Sequence, residues 1–364
     1  MHSNKIKVLV ADDSQVTRML LVHVLSSDPR MHVVGAVSDG QAAVDFLSSG
    51  GLHPDVVLMD IHMPRLDGFE ATRRIMETQP LPIVICTATS DPQELAIAFR
   101  SMEAGALACI QKPLAIGHPD YGLSAQNLLQ TIQLMSEVKV VRRWRRRQQV
   151  NSLTAPLTNV AKSAAAGAGI MLIGIGASTG GPPVLQTILS GLPKEFPAPL
   201  LIVQHIARGF LPGMVEWLNQ TTGLHVQIAA HDTRALPGHA YIAPDDFHLG
   251  AGAGGRLVLA REPPENGLRP SVSYLFRSLA HTCGPNAVGV LLTGMGTDGA
   301  PELKQMRDCG GFTIAQDRDS SVVHGMPGEA IGLGGAAHVL SADKIAAALI
   351  AQVGLNSAVG AYEP

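Results

Sequence analysis

Short apolar runs recur along the first third of the chain, separated by amphipathic stretches. Residues 6–10 form the first run, which ends at Asp12-Asp13, and runs at 33–37, 56–59, 83–86 and 107–110 follow. Residues 16–25 and 68–76, lying between them, carry apolar positions at helical spacing. Strands alternating with helices in this way predict βαβ units and a parallel sheet. A second pattern of the same kind starts at Ile170. Residues 170–175, 200–203 and 288–292 are β-compatible, and each leads into a Gly-rich or helix-starting segment. Between the two patterns the periodicity fails. Arg142-Arg143-Trp144-Arg145-Arg146-Arg147 is a dense basic run, and residues 151–169 are rich in Ala, Ser, Thr, Asn and Gly, as in a linker or a poorly packed helix.

Composition narrows the class. A length of 364 residues fits two domains better than one. Hydrophobic residues at 46% against charged residues at 16% exclude a disordered chain. The net charge of -3 supplies no global basic field for nucleic acid. The Arg run suits the solvated end of a helix, where Arg also complements the dipole; an acidic partner surface is the other reading. Aromatics at 4% and 38 glycines point to a core of Val, Ile, Leu and Ala with close backbone turns. Cys86, Cys109, Cys283 and Cys309 are too scattered for a disulfide framework or a zinc cluster. The polar N-terminus shows no signal peptide, and no apolar run approaches the roughly 20 residues of a membrane span. The expectation is a cytoplasmic α/β chain with no membrane insertion.

The charged residues of the first pattern fall at strand ends. Asp12 and Asp13 end the first strand, Asp60 the third, Thr87 the fourth and Lys112 the fifth. In an open parallel sheet those ends face one crevice. Clustered carboxylates there need a cation, and Mg²⁺ takes oxygen ligands beside a phosphate. A carboxylate can also form an aspartyl-phosphate. A single Asp at a strand end is ordinarily a helix cap; the combination is what carries the chemistry. Residues 5–135 resemble a response-regulator receiver domain, with Met63-Pro64 and Asp67-Gly68 matching the turn after the phosphorylation site. The resemblance implies Asp60 as phosphoacceptor. Asp12, Asp13, Asp60 and the His62 backbone carbonyl are implied as Mg²⁺ ligands, and Thr87 and Lys112 as the switch hydroxyl and phosphate-binding lysine. That family has an aromatic three residues before the lysine, where this chain has Cys109.

The second pattern carries a nucleophile. Gly176-Ala-Ser178-Thr-Gly180 satisfies G-x-S-x-G after a strand. His205 ends the run 200–204 as a candidate base, and Asp298 follows a third strand at a helix start, where the dipole favours an ionised carboxylate. The order Ser, His, Asp disfavours the α/β-hydrolase fold, whose order is Ser, acid, His. A rival reading exists, because Gly294 to Gly299 satisfies G-x-G-x-x-G with Asp317 further on. It is the poorer one, since Asp298 would aim a negative charge where a pyrophosphate should sit.

Residues 170–350 resemble the catalytic domain of the chemotaxis protein-glutamate methylesterases. The matching stretches are Ile175-Gly-Ala-Ser-Thr-Gly-Gly181, Val203-Gln-His205, Tyr241-Ile-Ala-Pro244 with His248, Pro270-Ser-Val, Leu292-Thr-Gly-Met-Gly-Thr-Asp-Gly299 and Gly325-Met-Pro327. The family has Asp where this chain has Ser273, a departure expected not to touch the triad. The resemblance implies a receiver at 1–137 (a flavodoxin-like five-stranded parallel sheet), a linker at 138–169, a mostly parallel α/β methylesterase at 170–355 and a tail at 356–364. It implies hydrolysis of chemoreceptor glutamate γ-methyl esters through Ser178, His205 and Asp298. The oxyanion would rest on the backbone amides of Thr179 and Met295. Deamidation of receptor glutamines by the same route is implied too. The catalytic domain needs no cofactor, the receiver takes Mg²⁺, and the partners are chemoreceptors and a histidine kinase. The alternative is a response regulator with a binding-only output, which predicts a helical DNA-binding module after the linker.

Overall fold

A computed structural model of the chain describes residues 5–88, 91–138, 140 and 171–360. The basic run Arg142 to Arg147 and nearly all of the expected linker lie outside the described residues, as do residues 361–364.

The first sheet orders its strands β2-β1-β3-β4-β5, with β1 (Ile6–Ala11), β2 (Met31–Val37), β3 (Val56–Met59), β4 (Ile83–Thr87) and β5 (Ala108–Gln111). Every pairing is parallel. β3 and β4 are buried along their whole length, as strands covered by helices on both faces must be. The covering helices are α1 (Gln15–Ser26), α2 (Gly40–Ser48), α3 (Gly68–Thr78), α4 (Pro92–Ala104) and α5 (Tyr121–Ser136). The turn into α3 shows why the sequence reads Asp67-Gly68. Asp67 caps the helix by accepting from Glu70 N. A Cβ on Gly68 would lie 1.9 Å from Asp60 O.

The second sheet has seven strands in the order β14-β13-β12-β6-β7-β9-β8. They are β6 (Leu172–Ala177), β7 (Leu200–Gln204), β8 (His225–Ile228), β9 (His239–Ile242), β12 (Ala287–Leu291), β13 (Phe312–Gln316) and β14 (His338–Leu340). All pairings are parallel. A separate antiparallel pair joins β10 (His248–Gly252) to β11 (Arg256–Ala260). The α/β expectation holds in both halves, and residues 171–360 form this sheet system rather than the helical module that a binding-only output predicts. The strands expected at 170–175, 200–203 and 288–292 are β6, β7 and β12, shifted by one or two residues. β8, β9, β10, β11, β13 and β14 were not expected; β8, β10 and β14 are short and mix His, Gly or Gln with few apolar residues, whereas β11 and β13 are largely apolar but brief.

Each sheet reverses its strand order near its middle, between β1 and β3 in the first and around β6 in the second, whose edge strand β8 also lies outside β9. Such a reversal opens a crevice at the carboxyl ends of the strands.

The two halves pack together. α4 lies against α7 (Leu211–Thr221) and α6 (Gly181–Ser190). Phe99 on α4 stacks on Trp217 at 5.7 Å and meets the edge of Phe210 at 6.4 Å. All three rings are buried. Glu103 Oε1 accepts from Trp217 Nε1 at 2.9 Å and from Gln186 Nε2 at 3.0 Å. One continuous apolar cluster therefore runs from the first sheet into the second.

Candidate active site and phosphoacceptor pocket

Ser178, His205 and Asp298 follow β6, β7 and β12, three adjacent central strands at the order reversal. His205 Nε2 lies 3.0 Å from Asp298 Oδ2. Asp298 is 3% exposed. Its carboxylate also accepts from Ser271 Oγ (2.7 Å), Val272 N (2.7 Å) and Ser273 N (3.0 Å). Burial would raise its pKa, but His205, Ser271 and the Val272 amide outweigh burial and hold it at about 2. The sequence located the right kind of support in the wrong helix. Asp298 precedes α9 (Ala300–Asp308), whose N-cap is Gly299. The amides it uses open α8 (Val272–Cys283), capped by Ser271.

This geometry also corrects the expectation for Ser273. Its amide is one of the donors to Asp298, and its hydroxyl accepts from Gly299 N at 2.9 Å. The residue therefore touches the candidate triad through its backbone and braces the loop that carries Asp298.

Ser178, Thr179, His205 and Met295 line a cavity of about 310 Å³. Phe99, Cys109, Asn127, Gln130 and Leu134 close it from the first domain. Neither the Thr179 nor the Met295 amide donates to another group among the described residues. Met295 is 40% exposed, and its sulfur meets Gln130 Nε2 at 3.8 Å. Gln204, the last residue of β7, donates from Nε2 to the carbonyl oxygens of both Ser178 and His205. The rival dinucleotide reading loses its acidic anchor here, because Asp317 Oδ1 is engaged by Ser320 N and Oγ.

The other crevice gathers Asp12, Asp13 and Asp60, whose carboxylate oxygens lie within 4.8 Å of one another. Asp12 and Asp60 are buried and Asp13 is exposed. Lys112 Nζ lies 2.7 Å from Asp12 Oδ2 and 2.8 Å from Asp60 Oδ2. Asp60 Oδ1 accepts from Ile61 N. Burial pushes the Asp60 carboxyl above its ordinary value; Lys112 opposes this and Asp12 adds to it. For Lys112, burial works against the charge, but the contacts with Asp12 and Asp60 outweigh it and raise the pKa. Thr87 is buried at the end of β4, and its carbonyl accepts from Lys112 N. His62 stands in the loop after β3, its side chain 4.0 Å from Glu94. An all-oxygen donor set, with one carboxylate open to solvent, suits Mg²⁺, which keeps several waters. Cys109 lies on β5 facing the interdomain cavity, and burial pushes its thiol up to about 12.

Comparison with known proteins assigns a family to each half of the chain. Residues 8–118 match the response regulator receiver domain, and residues 173–349 match the CheB methylesterase family. A protein-glutamate methylesterase/protein-glutamine glutaminase of Geobacter metallireducens is 52% identical over 94% of this chain and 98% of its own. The chain belongs to the CheB methylesterase family. A second relative of the same name, from Nitrosospira multiformis, is 50% identical over 94% of this chain and 96% of its own. The CheB catalytic domain of Thermotoga maritima is 39% identical and aligns over 50% of this chain and 99% of that one, with a TM-score of 0.49. Within the CheB framework, sequence reading named Ser178, His205, Asp298 and the acidic pocket but passed over Ser271, Gln204 and Glu103. Gln204 stands inside the matched stretch Val203-Gln-His205, and that placement was the available signal. Ser271 likewise stands inside the matched stretch Pro270-Ser-Val, but its contact with Asp298, like those of Glu103, spans a sequence separation that a single sequence does not display. No described helix is long and apolar enough to cross a membrane.

Proposed function

We propose that this chain hydrolyses glutamate γ-methyl esters of chemoreceptors, releasing methanol, under the control of phosphorylation at Asp60. The observation that carries this reading is the convergence of Ser178, His205 and an ionised Asp298 at one strand-end crevice. Because Nε2 of His205 faces Asp298, that nitrogen bears the proton and Nδ1 is the base. Nδ1 takes the Ser178 hydroxyl proton as Oγ attacks the ester carbonyl. The Thr179 and Met295 amides hold the oxyanion. The C–OCH₃ bond breaks, and the imidazolium returns its proton to the leaving methoxide. Water then attacks the acyl-enzyme by the same base and releases the glutamate carboxylate. A glutamine side chain follows the same course with ammonia as leaving group.

Asp60 accepts the phosphoryl group from a partner histidine kinase. Asp12, Asp13, Asp60 and the His62 carbonyl would hold Mg²⁺, which neutralises phosphoryl oxygens when bound. Lys112 and Thr87 contact the remaining ones. Phosphorylation weakens the α4–α7 contact and opens the cavity to receptor. A modification shifts such an equilibrium only by stabilising one state over the other. The division of the chain is a receiver at 1–137, a linker at 138–169, a catalytic domain at 170–355 and a tail at 356–364, working in the cytoplasm.

The test is methanol release from a methylated receptor, with and without a small phosphodonor. Ser178→Ala is expected to release none while staying folded. Full turnover by that variant would overturn the assignment.

A further inference from the structure

The two amides assigned to the oxyanion belong to peptide groups whose carbonyl ends are tied down. In a trans peptide the C=O and N–H point in opposite directions, so fixing the oxygen aims the hydrogen. Gly294 O, on the Met295 peptide, accepts from Gly325 N at 3.1 Å and Met326 N at 2.9 Å. Ser178 O, on the Thr179 peptide, accepts from Gly181 N at 2.8 Å and from Gln204 Nε2 at 2.9 Å. The same Nε2 donates to His205 O at 2.8 Å.

Three of these four anchors are backbone groups, and Gln204 is the exception. Its side chain is buried, and Oε1 has no hydrogen-bond partner among the described residues. Reversing the amide would set Oε1 against two carbonyl oxygens, so the network fixes its orientation. Gly181 allows the approach, since a Cβ there would lie 2.2 Å from Oε1. An unpaired buried acceptor is unfavourable. Met would fill a similar space without it, so packing alone does not explain the amide. Its donor end does.

We propose that Gln204 is a positioning residue of the esterase. By holding the Ser178 and His205 carbonyls with one nitrogen, it aims the Thr179 N–H at the oxyanion and sets the spacing of nucleophile and base. The inference rests on the ester-hydrolysis reading above. It predicts an effect on transition-state stabilisation with little effect on substrate binding.

The test compares full-length wild type, Gln204→Met, Gln204→Glu and Ser178→Ala on a methylated receptor fragment, with unfolding midpoints measured in parallel. Gln204→Met is expected to lower kcat about 10–100-fold, less than deleting an oxyanion donor outright, with KM within about threefold. Gln204→Glu is expected to lose more at neutral pH, where a carboxylate faces two carbonyls. Its activity relative to wild type should rise as the pH falls and the neutral carboxyl can donate again. A folded Gln204→Met with kcat within about threefold of wild type overturns the proposal, as does a loss confined to KM. Should Gln204→Met fail to fold, a pH-independent ratio of Gln204→Glu to wild type overturns it. An inactive wild type, or a fully active Ser178→Ala, instead overturns the esterase reading itself.

Discussion

Asp60 and Asp298 sit in equivalent places, each at the carboxyl end of a buried parallel strand beside a reversal of strand order, yet their carboxyls are driven in opposite directions. Burial raises Asp60, while Asp298 is held at about 2 in spite of burial. The difference lies in their neighbours. Asp298 faces donors only: a hydroxyl, two amides at the start of α8, and His205. Asp60 shares one ammonium with a second buried carboxylate, Asp12, and receives one amide. One site is finished, with its charge fully compensated by the protein. The other is left short of positive charge, a deficit that a divalent cation would fill. The lesson is that position in the fold selects where chemistry occurs, and the donor count decides which chemistry.

The largest expected effect comes from breaking the finished site. Asp298→Asn replaces an acceptor with a group that donates toward His205, so the imidazole is held in the wrong tautomer. A fall in kcat of about 10⁴-fold is expected, as for other triad carboxylates. Stability should fall as well, by about 1–3 kcal/mol, because buried donors lose their partner. The sign of the pH dependence follows from the depressed pKa. The stabilisation by Asp298 is present above about pH 4 and is lost as the pH falls toward 2. The difference in unfolding midpoint between wild type and variant should therefore be constant near neutrality and close in acid. A variant as stable as wild type at pH 7 would contradict the donor-count argument.

Asp60→Asn should do the reverse. A carboxyl raised above its unfolded value contributes stability that is present at low pH and is lost as the pH rises through the folded value. Removing it deletes that penalty, and Lys112 keeps Asp12 as a partner. In metal-free buffer at neutral pH the variant's midpoint is expected above that of wild type, with the gap closing in acid. Stimulation by a phosphodonor should vanish while basal methanol release persists. A lowered midpoint at neutral pH would show that the pocket is already compensated without a cation.

Much of this comparison was legible in the sequence. Hydrophobic runs between polar turns marked β1 to β7 and β12 to within one or two residues, because most of these strands are buried along much of their length and have no polar face to blur the pattern. The same runs placed Asp12, Asp60, Ser178, His205 and Asp298 at strand ends. What could not be read was how those residues are held. Asp298 takes donors from the start of α8, 25–27 residues earlier in the chain. Ser273 looked like an unrelated departure for the same reason. Strands β8, β10 and β14 lie at an edge or outside the main sheet, where polar residues are tolerated and the apolar signal weakens. The contact between Phe99 and Trp217 depends on docking two separate cores, which no local periodicity reports.

Glu103 offers the smallest effect and links the two sites. It is an exposed carboxylate on α4 that accepts from Trp217 and Gln186 across the domain junction, with the esterase cavity alongside. Glu103→Ala removes both acceptor contacts and leaves Phe99 stacked on Trp217. Net hydrogen-bond contributions of about 0.5–1.5 kcal/mol suggest a closed state weakened enough to raise basal methanol release about 3–10-fold. Activity with a phosphodonor should stay near that of wild type, since the proposed open state lacks this contact. Fold-stimulation therefore shrinks from the basal side, whereas Asp60→Asn removes it from the stimulated side. Equal basal rates in Glu103→Ala and wild type would mean that the aromatic stack alone holds the domains together.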